Sequence, residues 1–93
     1  YLALMTRTCL DLTGARGPVI VEGPFARNPD YLDMLAALSP EGVAVTASAT
    51  GTSTGAALLC LPDARPPAAR PWTPRGEGGL DDYARRWRAA CQA

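Results

Sequence analysis

The chain has 93 residues, which is enough for one small domain. Its nine arginines balance nine acidic residues, and lysine and histidine are both absent, so the basic excess expected of a nucleic-acid-binding protein is missing. No apolar run reaches the roughly 18 residues of a membrane span, and the first residues lack the features of a secretion signal. We therefore expect a cytoplasmic protein that binds neither nucleic acid nor membrane.

The three cysteines give no sign of a cross-linked or metal-bound scaffold. Cys9, Cys60 and Cys91 are odd in number and far apart, and no paired-cysteine or histidine spacing accompanies them. This pattern favours neither a disulfide framework nor a zinc site. It predicts buried, reduced thiols and no metal site.

The first predicted elements are a helix and a strand. The helix has an apolar face built from residues three and four apart: Leu2, Met5, Cys9 and Leu12. It is expected to end at Gly14 or Gly17 and to pack on a sheet. The continuous β-branched run over residues 19–21 then predicts a central parallel strand that is covered on both faces.

This strand leads into a glycine turn and a helix start. Gly23 supplies a permissive backbone, Asn28 is a favoured N-cap residue, and both Pro29 and Asp30 suit a first helical turn. The carboxyl end of a strand beside a helix start is where α/β proteins bind ligands. The same pattern is also that of an ordinary β-to-α connection, and the turn alone leaves both interpretations open.

A second helix and a second strand follow. The helix is predicted to end at Ser39, because a proline follows it and disfavours helical geometry in the residue before it. Its predicted buried residues are Tyr31, Met34, Leu35 and Leu38. Residues 43–46 form the second predicted strand, and the short connections favour a mostly parallel sheet with two strands in this chain. An incomplete sheet leaves an exposed edge, through which a homodimer could form.

The segment over residues 50–59 predicts a small-residue turn that enters a third helix, with Thr52 or Ser53 as its cap. Gly55 and Ala56 leave a low surface that suits close helix packing. A helix start with free N–H groups can also bind phosphate, but the lysine and spacing of a P-loop are absent. A solvated cap is therefore the favoured interpretation.

The last third of the chain combines an irregular segment with a helix. Residues 62–79 are dense in proline, arginine and glycine, which predicts a linker without a core. Residues 80–92 predict an amphipathic helix, with aspartates in its first turn and arginines later. Tyr83 and Trp87 are expected to dock against the rest of the domain, with a partner helix as the alternative.

The order of strand, EGPFARNP turn, amphipathic helix, strand and GTSTGAALL helix resembles the end of the FGGY family of carbohydrate kinases, in the sugar kinase, Hsp70 and actin superfamily. The resemblance covers roughly residues 1–62. It implies an α/β fold, a partial ribonuclease H-like (actin-like ATPase) lobe of order α-β-α-β-α with an extra C-terminal helix. The implied organisation is the C-terminal portion of the kinase C-lobe over residues 1–61, a linker over 62–79 and a C-terminal helix over 80–92.

The same resemblance implies a function. Family members bind ATP and sugar between two lobes, with the catalytic aspartate in the amino-terminal lobe. We therefore expect a carboxy-terminal fragment of a kinase that uses ATP and Mg²⁺ to phosphorylate a sugar or polyol hydroxyl, without catalytic or metal-binding residues of its own and without turnover alone. Gly55 and Ala56 would pack at the interlobe hinge. The alternative is a non-catalytic α/β oligomerisation module or a kinase relic.

The resemblance also assigns residues to ATP. Gly23 matches the first glycine of the adenosine-contacting turn, Pro24 stands where a second glycine is usual, and Asn28 matches a polar residue that faces the nucleotide. Pro24 departs from the pattern because it has no N–H to donate and its ring fills space. Arg27 is expected to point into water, with stacking on adenine as the alternative, and Glu22 has no assigned role.

Overall fold

The computed structural model describes residues 1–47, 51–76 and 78–92. The elements in chain order are α1 (Leu2–Leu12), β1 (Val19–Val21), a 3₁₀ turn (Pro24–Arg27), α2 (Pro29–Leu38), β2 (Val43–Val45), α3 (Gly51–Cys60), β3 (Arg70–Pro71) and α4 (Leu80–Cys91). The predicted α-β-α-β-α order with an extra C-terminal helix is confirmed. Among the described residues, none of the helices combines the length and apolar character needed to span a bilayer.

The sheet contains three strands in the order β1-β2-β3. β1 and β2 are parallel, with Val19 opposite Val43, as expected for a crossover through α2. β3 is antiparallel to β2, with Arg70 opposite Val45. Only two strands were predicted, because β3 has two residues, one of them a proline, and carries no strand pattern. Pro71 is compatible with β3 since this strand lies at the edge of the sheet.

The core lies between the sheet and the helices α1 and α2. Its buried cluster consists of Ala3, Val21, Leu32, Leu35, Val43 and Val45. Trp72, from the segment predicted as a linker without a core of its own, packs against this cluster, so this segment contributes a contact to the core of the rest of the chain. α2 is the central helix, because it contacts α1, α4 and β2.

β1 is an edge strand of the described sheet, which corrects the prediction of a central strand covered on both faces. Val21 is buried on the core side, whereas Ile20 on the opposite side is 56% exposed. An apolar run indicates that both faces of a strand could be buried. Whether they are buried depends on another segment that covers each face.

The helices bury partly different faces from those predicted. In α1 the expected face lies outward, with Leu12 82% exposed, and the buried residues are Ala3 and Leu4. α1 is apolar on two sides, and the small Ala3 lies on the side that joins the core. In α2, Leu35 is buried as predicted but Met34 is exposed, and Leu32 was missed.

α4 packs against the rest of the domain mainly through Ala84 and Trp87. Ala84 is buried, and the ring of Trp87 meets that of Tyr1 edge-on at a centroid distance of 6.3 Å. Tyr83 lies half exposed, so only part of the predicted aromatic contact forms. The prediction of buried thiols was wrong, since all three cysteines are exposed.

α3 differs from the other helices because none of its residues is buried. It begins at Gly51, so Thr52 and Ser53 lie inside its first turn and not at a cap, contrary to the prediction. Thr50, the first residue of the predicted turn, lies outside the described residues. Leu59, near the end of α3, is 88% exposed.

Candidate functional site

The turn after β1 depends on the backbone of Gly23. This residue has φ of 77° and ψ of −158°, a combination that is essentially restricted to glycine. A Cβ atom built at Gly23 would meet nothing within 4 Å. The glycine is therefore required by the backbone, and the space beside it is open to a ligand.

Pro24 begins the 3₁₀ turn, where its missing N–H is not needed. The turn is closed by two backbone hydrogen bonds of 3.1 Å, in which Ala26 N donates to Gly23 O and Asn28 N donates to Phe25 O. Proline at this position therefore fits the local backbone. Because it donates no hydrogen bond, any ligand at this turn must use other groups.

Asn28 caps α2 as predicted. Its Oδ1 accepts a hydrogen bond of 3.1 Å from Tyr31 N, and Pro29 follows as the first helical residue. The cap occupies the amide oxygen. Its Nδ2 has no acceptor among the described residues and is the group that can donate to a ligand.

Aromatic packing braces the turn against the rest of the domain. The rings of Phe25 and Tyr31 lie 5.0 Å apart between centroids. Tyr31 Oη is hydrogen-bonded to Thr6 Oγ1 of α1 at 2.8 Å. The turn is thus connected to both α1 and α2, which limits its freedom to rearrange around a ligand.

A cavity of about 170 Å³, the turn cavity, opens between this turn and the carboxyl end of β2. It is lined by Gly23, Ala26, Arg27, Val45, Thr46, Ala47 and Arg70. The structure therefore brings Gly23 and Arg27 to the cavity, whereas Pro24 and Asn28 lie on the turn but not in this lining. Within the described part of the chain, two positive charges and no acidic side chain line the cavity.

Sequence reasoning missed Thr46 and Arg70 as cavity residues. Thr46 could have been inferred, because parallel neighbours β1 and β2 end at the same edge of the sheet. Its hydroxyl is buried and has no hydrogen-bond partner among the described residues. Arg70 lies far from the turn in sequence, and its pairing in β3 has no local signal.

Glu22 lies at the start of α3. A Cβ atom added at Gly51 would overlap Oε2 of Glu22, so the carboxylate sits directly against the first residue of the helix. A negative charge is favourable at a helix N-terminus. The same charge disfavours phosphate binding at this helix start.

Asp33 fastens the segment after β3 to α2. Its Oδ1 accepts hydrogen bonds from Trp72 Nε1 at 2.8 Å and from Arg75 N at 3.2 Å, and its Oδ2 accepts one from Arg75 Nε at 3.0 Å. Arg75 also contacts Asp30 at 3.1 Å. These contacts fix the strand end that carries Arg70.

The same contacts affect the charge of Asp33. Desolvation of the carboxyl raises its pKa, but the hydrogen bonds from Trp72 and Arg75, together with the charge of Arg75, outweigh this effect. The pKa of Asp33 is therefore lowered from its ordinary value. The carboxylate is therefore ionised at neutral pH.

The family model for the C-terminal domain of the FGGY carbohydrate kinases matches residues 1–70. The chain belongs to this family. The FGGY C-terminal domain is also similar to the crystal structure of a carbohydrate kinase from Novosphingobium aromaticivorans, with a TM-score of 0.73 and 34% sequence identity. This match covers 95% of the present chain and 19% of that kinase. No curated protein matches the chain.

The comparisons confirm the resemblance to the end of an FGGY kinase and the α/β fold expected from it. The structural match covers 95% of the chain and so extends beyond the residues of the predicted resemblance. The FGGY C-terminal domain described here spans about a fifth of the length of the kinase that it matches. The activity of a whole kinase therefore does not follow from this match alone.

Proposed function

We propose that this chain forms part of the adenosine-binding side of an ATP-dependent carbohydrate kinase, which transfers the γ-phosphoryl group of ATP to a sugar or polyol hydroxyl. The supporting observation is that a family match over residues 1–70 includes a strand, a glycine-only turn and an asparagine-capped helix. Phosphoryl transfer depends on positioning and charge neutralisation. A rigid turn beside an open space suits the positioning of a nucleotide.

Adenosine would be bound by two groups of the turn. The open side of Gly23 allows the ligand to approach the backbone, and Nδ2 of Asn28 can donate to a ring nitrogen or a ribose oxygen. Pro24 contributes apolar contact and no hydrogen bond. This assignment keeps Gly23, Pro24 and Asn28 as the cofactor-binding residues.

Magnesium and the catalytic base are assigned to the rest of the kinase. Within residues 1–47, 51–76 and 78–92, no group of three carboxylate or thiol side chains is arranged to hold a metal ion. The 93-residue chain is expected to show no turnover by itself, and the complete kinase is expected to act in the cytoplasm, where ATP is available.

The remaining segments have structural roles in this proposal. Residues 1–61 would be the C-terminal portion of the second lobe, followed by the connecting segment 62–79 and the helix over 80–92. Gly55 and Ala56 lie on α3, which carries no charged residue and buries none of its side chains here. Such a helix suits close packing at the hinge between two lobes.

The proposal is tested by titrating the ¹⁵N-labelled chain with ATP and magnesium. We expect shifts of the amides of Gly23, Phe25 and Asn28. The variant N28S retains a capping oxygen but lacks the amide donor, so about tenfold weaker binding with an intact fold would assign the loss to the ligand. No shift in the wild-type chain at millimolar ATP would contradict the proposal.

A second candidate function is a non-catalytic oligomerisation module. It is favoured by the outer edge of β1, which pairs with no described strand, and by the exposed Ile20 beside it. Sedimentation at micromolar concentration distinguishes the two cases, because a dimer through this edge should dissociate in I20K. A wild-type monomer would exclude the module.

A further inference from the structure

Two arginines from distant parts of the chain line the turn cavity. Arg27 comes from the 3₁₀ turn and Arg70 from β3. Among the residues that the structure describes, no acidic side chain lines this cavity. Two neighbouring positive charges without a counter-charge raise the local potential, which an anion would neutralise.

Some of the other arginines are paired with carboxylates. Arg27 and Arg70 differ from the arginines that have no carboxylate partner among the described residues (Arg16, Arg65 and Arg88), because both line the turn cavity. Arg75, five residues after Arg70, contacts both Asp30 and Asp33. Arg7, Arg85 and Arg86 also have aspartate partners. Within the described residues, Arg27 and Arg70 have no carboxylate within ion-pair distance, so their guanidinium groups can donate to a ligand.

The position of Arg70 is fixed by its backbone. Arg70 lies opposite Val45 in the sheet, and Trp72 N donates to Val43 O at 2.8 Å. The Trp72 side chain is held in turn by Asp33 at 2.8 Å. The backbone of Arg70 is therefore already ordered beside the end of β2. Binding of a ligand to Arg70 would lose little additional backbone entropy.

The size of the turn cavity limits what it can hold. Its volume of about 170 Å³ lies below the roughly 300 Å³ at which pockets for whole small molecules begin. A single tetrahedral anion fits such a space better than a nucleotide does. Planar guanidinium groups also match the oxygen spacing of phosphate and can bind it through two parallel hydrogen bonds.

We propose that the turn cavity is a phosphate subsite in which Arg27 and Arg70 bind one phosphate group. The phosphate could belong to a nucleotide held at the Gly23 turn or could be inorganic phosphate. The first of these sources rests on the function proposed above, whereas the arginine pair itself does not. Arg27 and Arg70 thereby gain a binding role that surface arginines do not have.

The test compares three ligands at constant ionic strength, with amide and arginine Nε–H shifts as the readout. The ligands are inorganic phosphate, ATP and adenosine. We expect phosphate to shift the amides of Ala26 and Thr46, and ATP to bind about tenfold more tightly than adenosine. R27A and R70A should each weaken phosphate binding about tenfold and remove most of the preference for ATP.

R65A is the matched control, because Arg65 is an exposed arginine of the same segment that does not line the turn cavity. Equal loss of phosphate binding in R65A and R70A would overturn the subsite, since it would indicate general surface attraction. Phosphate that leaves the cavity amides unshifted would also overturn it. R70A should keep the wild-type amide pattern of β2, because the β3 pairing uses only the backbone.

The ligand set separates this inference from the proposed function. Phosphate binding that depends on Arg27 and Arg70, without any shift of the Phe25 and Asn28 amides by adenosine, would support the subsite and contradict the nucleotide proposal. Adenosine binding at the turn without an arginine-dependent phosphate effect would contradict the subsite and leave the nucleotide proposal standing.

Discussion

Helices α2 and α3 are both ten residues long, yet their surroundings are opposite. α2 is capped by Asn28, and its Leu32 and Leu35 are completely buried. α3 carries no charged residue, but it buries none of its side chains and leaves Leu59 88% exposed. Apolar composition therefore does not ensure burial, which depends on the segment that lies across from the helix.

The difference in burial between α2 and α3 predicts a difference in their contributions to the free energy of unfolding. α3 is polar in its first turn and apolar in its second half, and within this chain the apolar half is not buried. Isolated helices shorter than about 12 residues are marginal in water. Within this chain α3 is stabilised mainly by the helix propensity of its residues, whereas α2 is also stabilised by its packed side chains. Substitutions in the two helices should therefore have very different effects on the free energy of unfolding.

The largest effect is expected from the pair L32A and L59A. Removing the buried Leu32 side chain should lower the free energy of unfolding by about 2–5 kcal/mol, because a cavity remains in the core. L59A should change it by less than about 0.5 kcal/mol. Urea denaturation of both variants provides the measurement, and equal losses would contradict the assignment of α3 as unpacked within this chain.

The next effect compares two glycines. G23A places a side chain in a backbone region restricted to glycine and should cost about 1–3 kcal/mol, although no neighbouring atom would clash. G55A lies inside α3 with open space around it and should stabilise the helix by about 0.5–1 kcal/mol. Thermal unfolding should show shifts of opposite sign, and a loss in G55A would indicate that α3 makes close contacts.

A smaller effect is expected at the start of α2. N28A removes the cap and should lower the free energy of unfolding by about 1 kcal/mol, whereas N28S should keep most of it. Hydrogen exchange of the first turn of α2 measures this locally. Equal protection in N28A and the wild-type chain would show that the cap does not support the helix.

The smallest effect is the pH dependence of the Asp33 contacts. The folded-state pKa of Asp33 is lowered, so its contribution to stability is present above the unfolded value of about 3.9 and is lost as the pH falls through the folded value. D33N should be less stable than the wild-type chain at neutral pH, and this difference should shrink below about pH 4. A difference that is constant with pH would contradict the ion-pair role.

Local patterns predicted the helices and the first two strands. Asn28 and Pro29 define the start of α2, and Ser39 before a proline defines its end, because capping and proline geometry depend on adjacent residues. The turn with Gly23 was found for the same reason. The order of these elements was sufficient to identify the family, which the comparisons confirm.

Contacts between distant segments could not be predicted from these patterns. α1 offers two apolar sides, and only packing against α2 decides that Ala3 and not Met5 is buried. Arg70 reaches the turn cavity through antiparallel pairing with β2 across a proline-rich segment. The turn cavity therefore combines the Gly23 turn, which neighbouring residues predict, with Arg70, which only the tertiary structure brings to it.

The contact between Glu22 and Gly51 determines which charge lies at the start of α3. Any side chain at position 51 would displace the Glu22 carboxylate from the start of α3. Because that carboxylate is the end of a rotatable side chain, such a replacement meets little steric resistance and instead exposes the positive end of the helix to other anions. Glycine at position 51 therefore keeps the Glu22 carboxylate at the start of α3, and a larger residue there would open this helix end to an anion from solution.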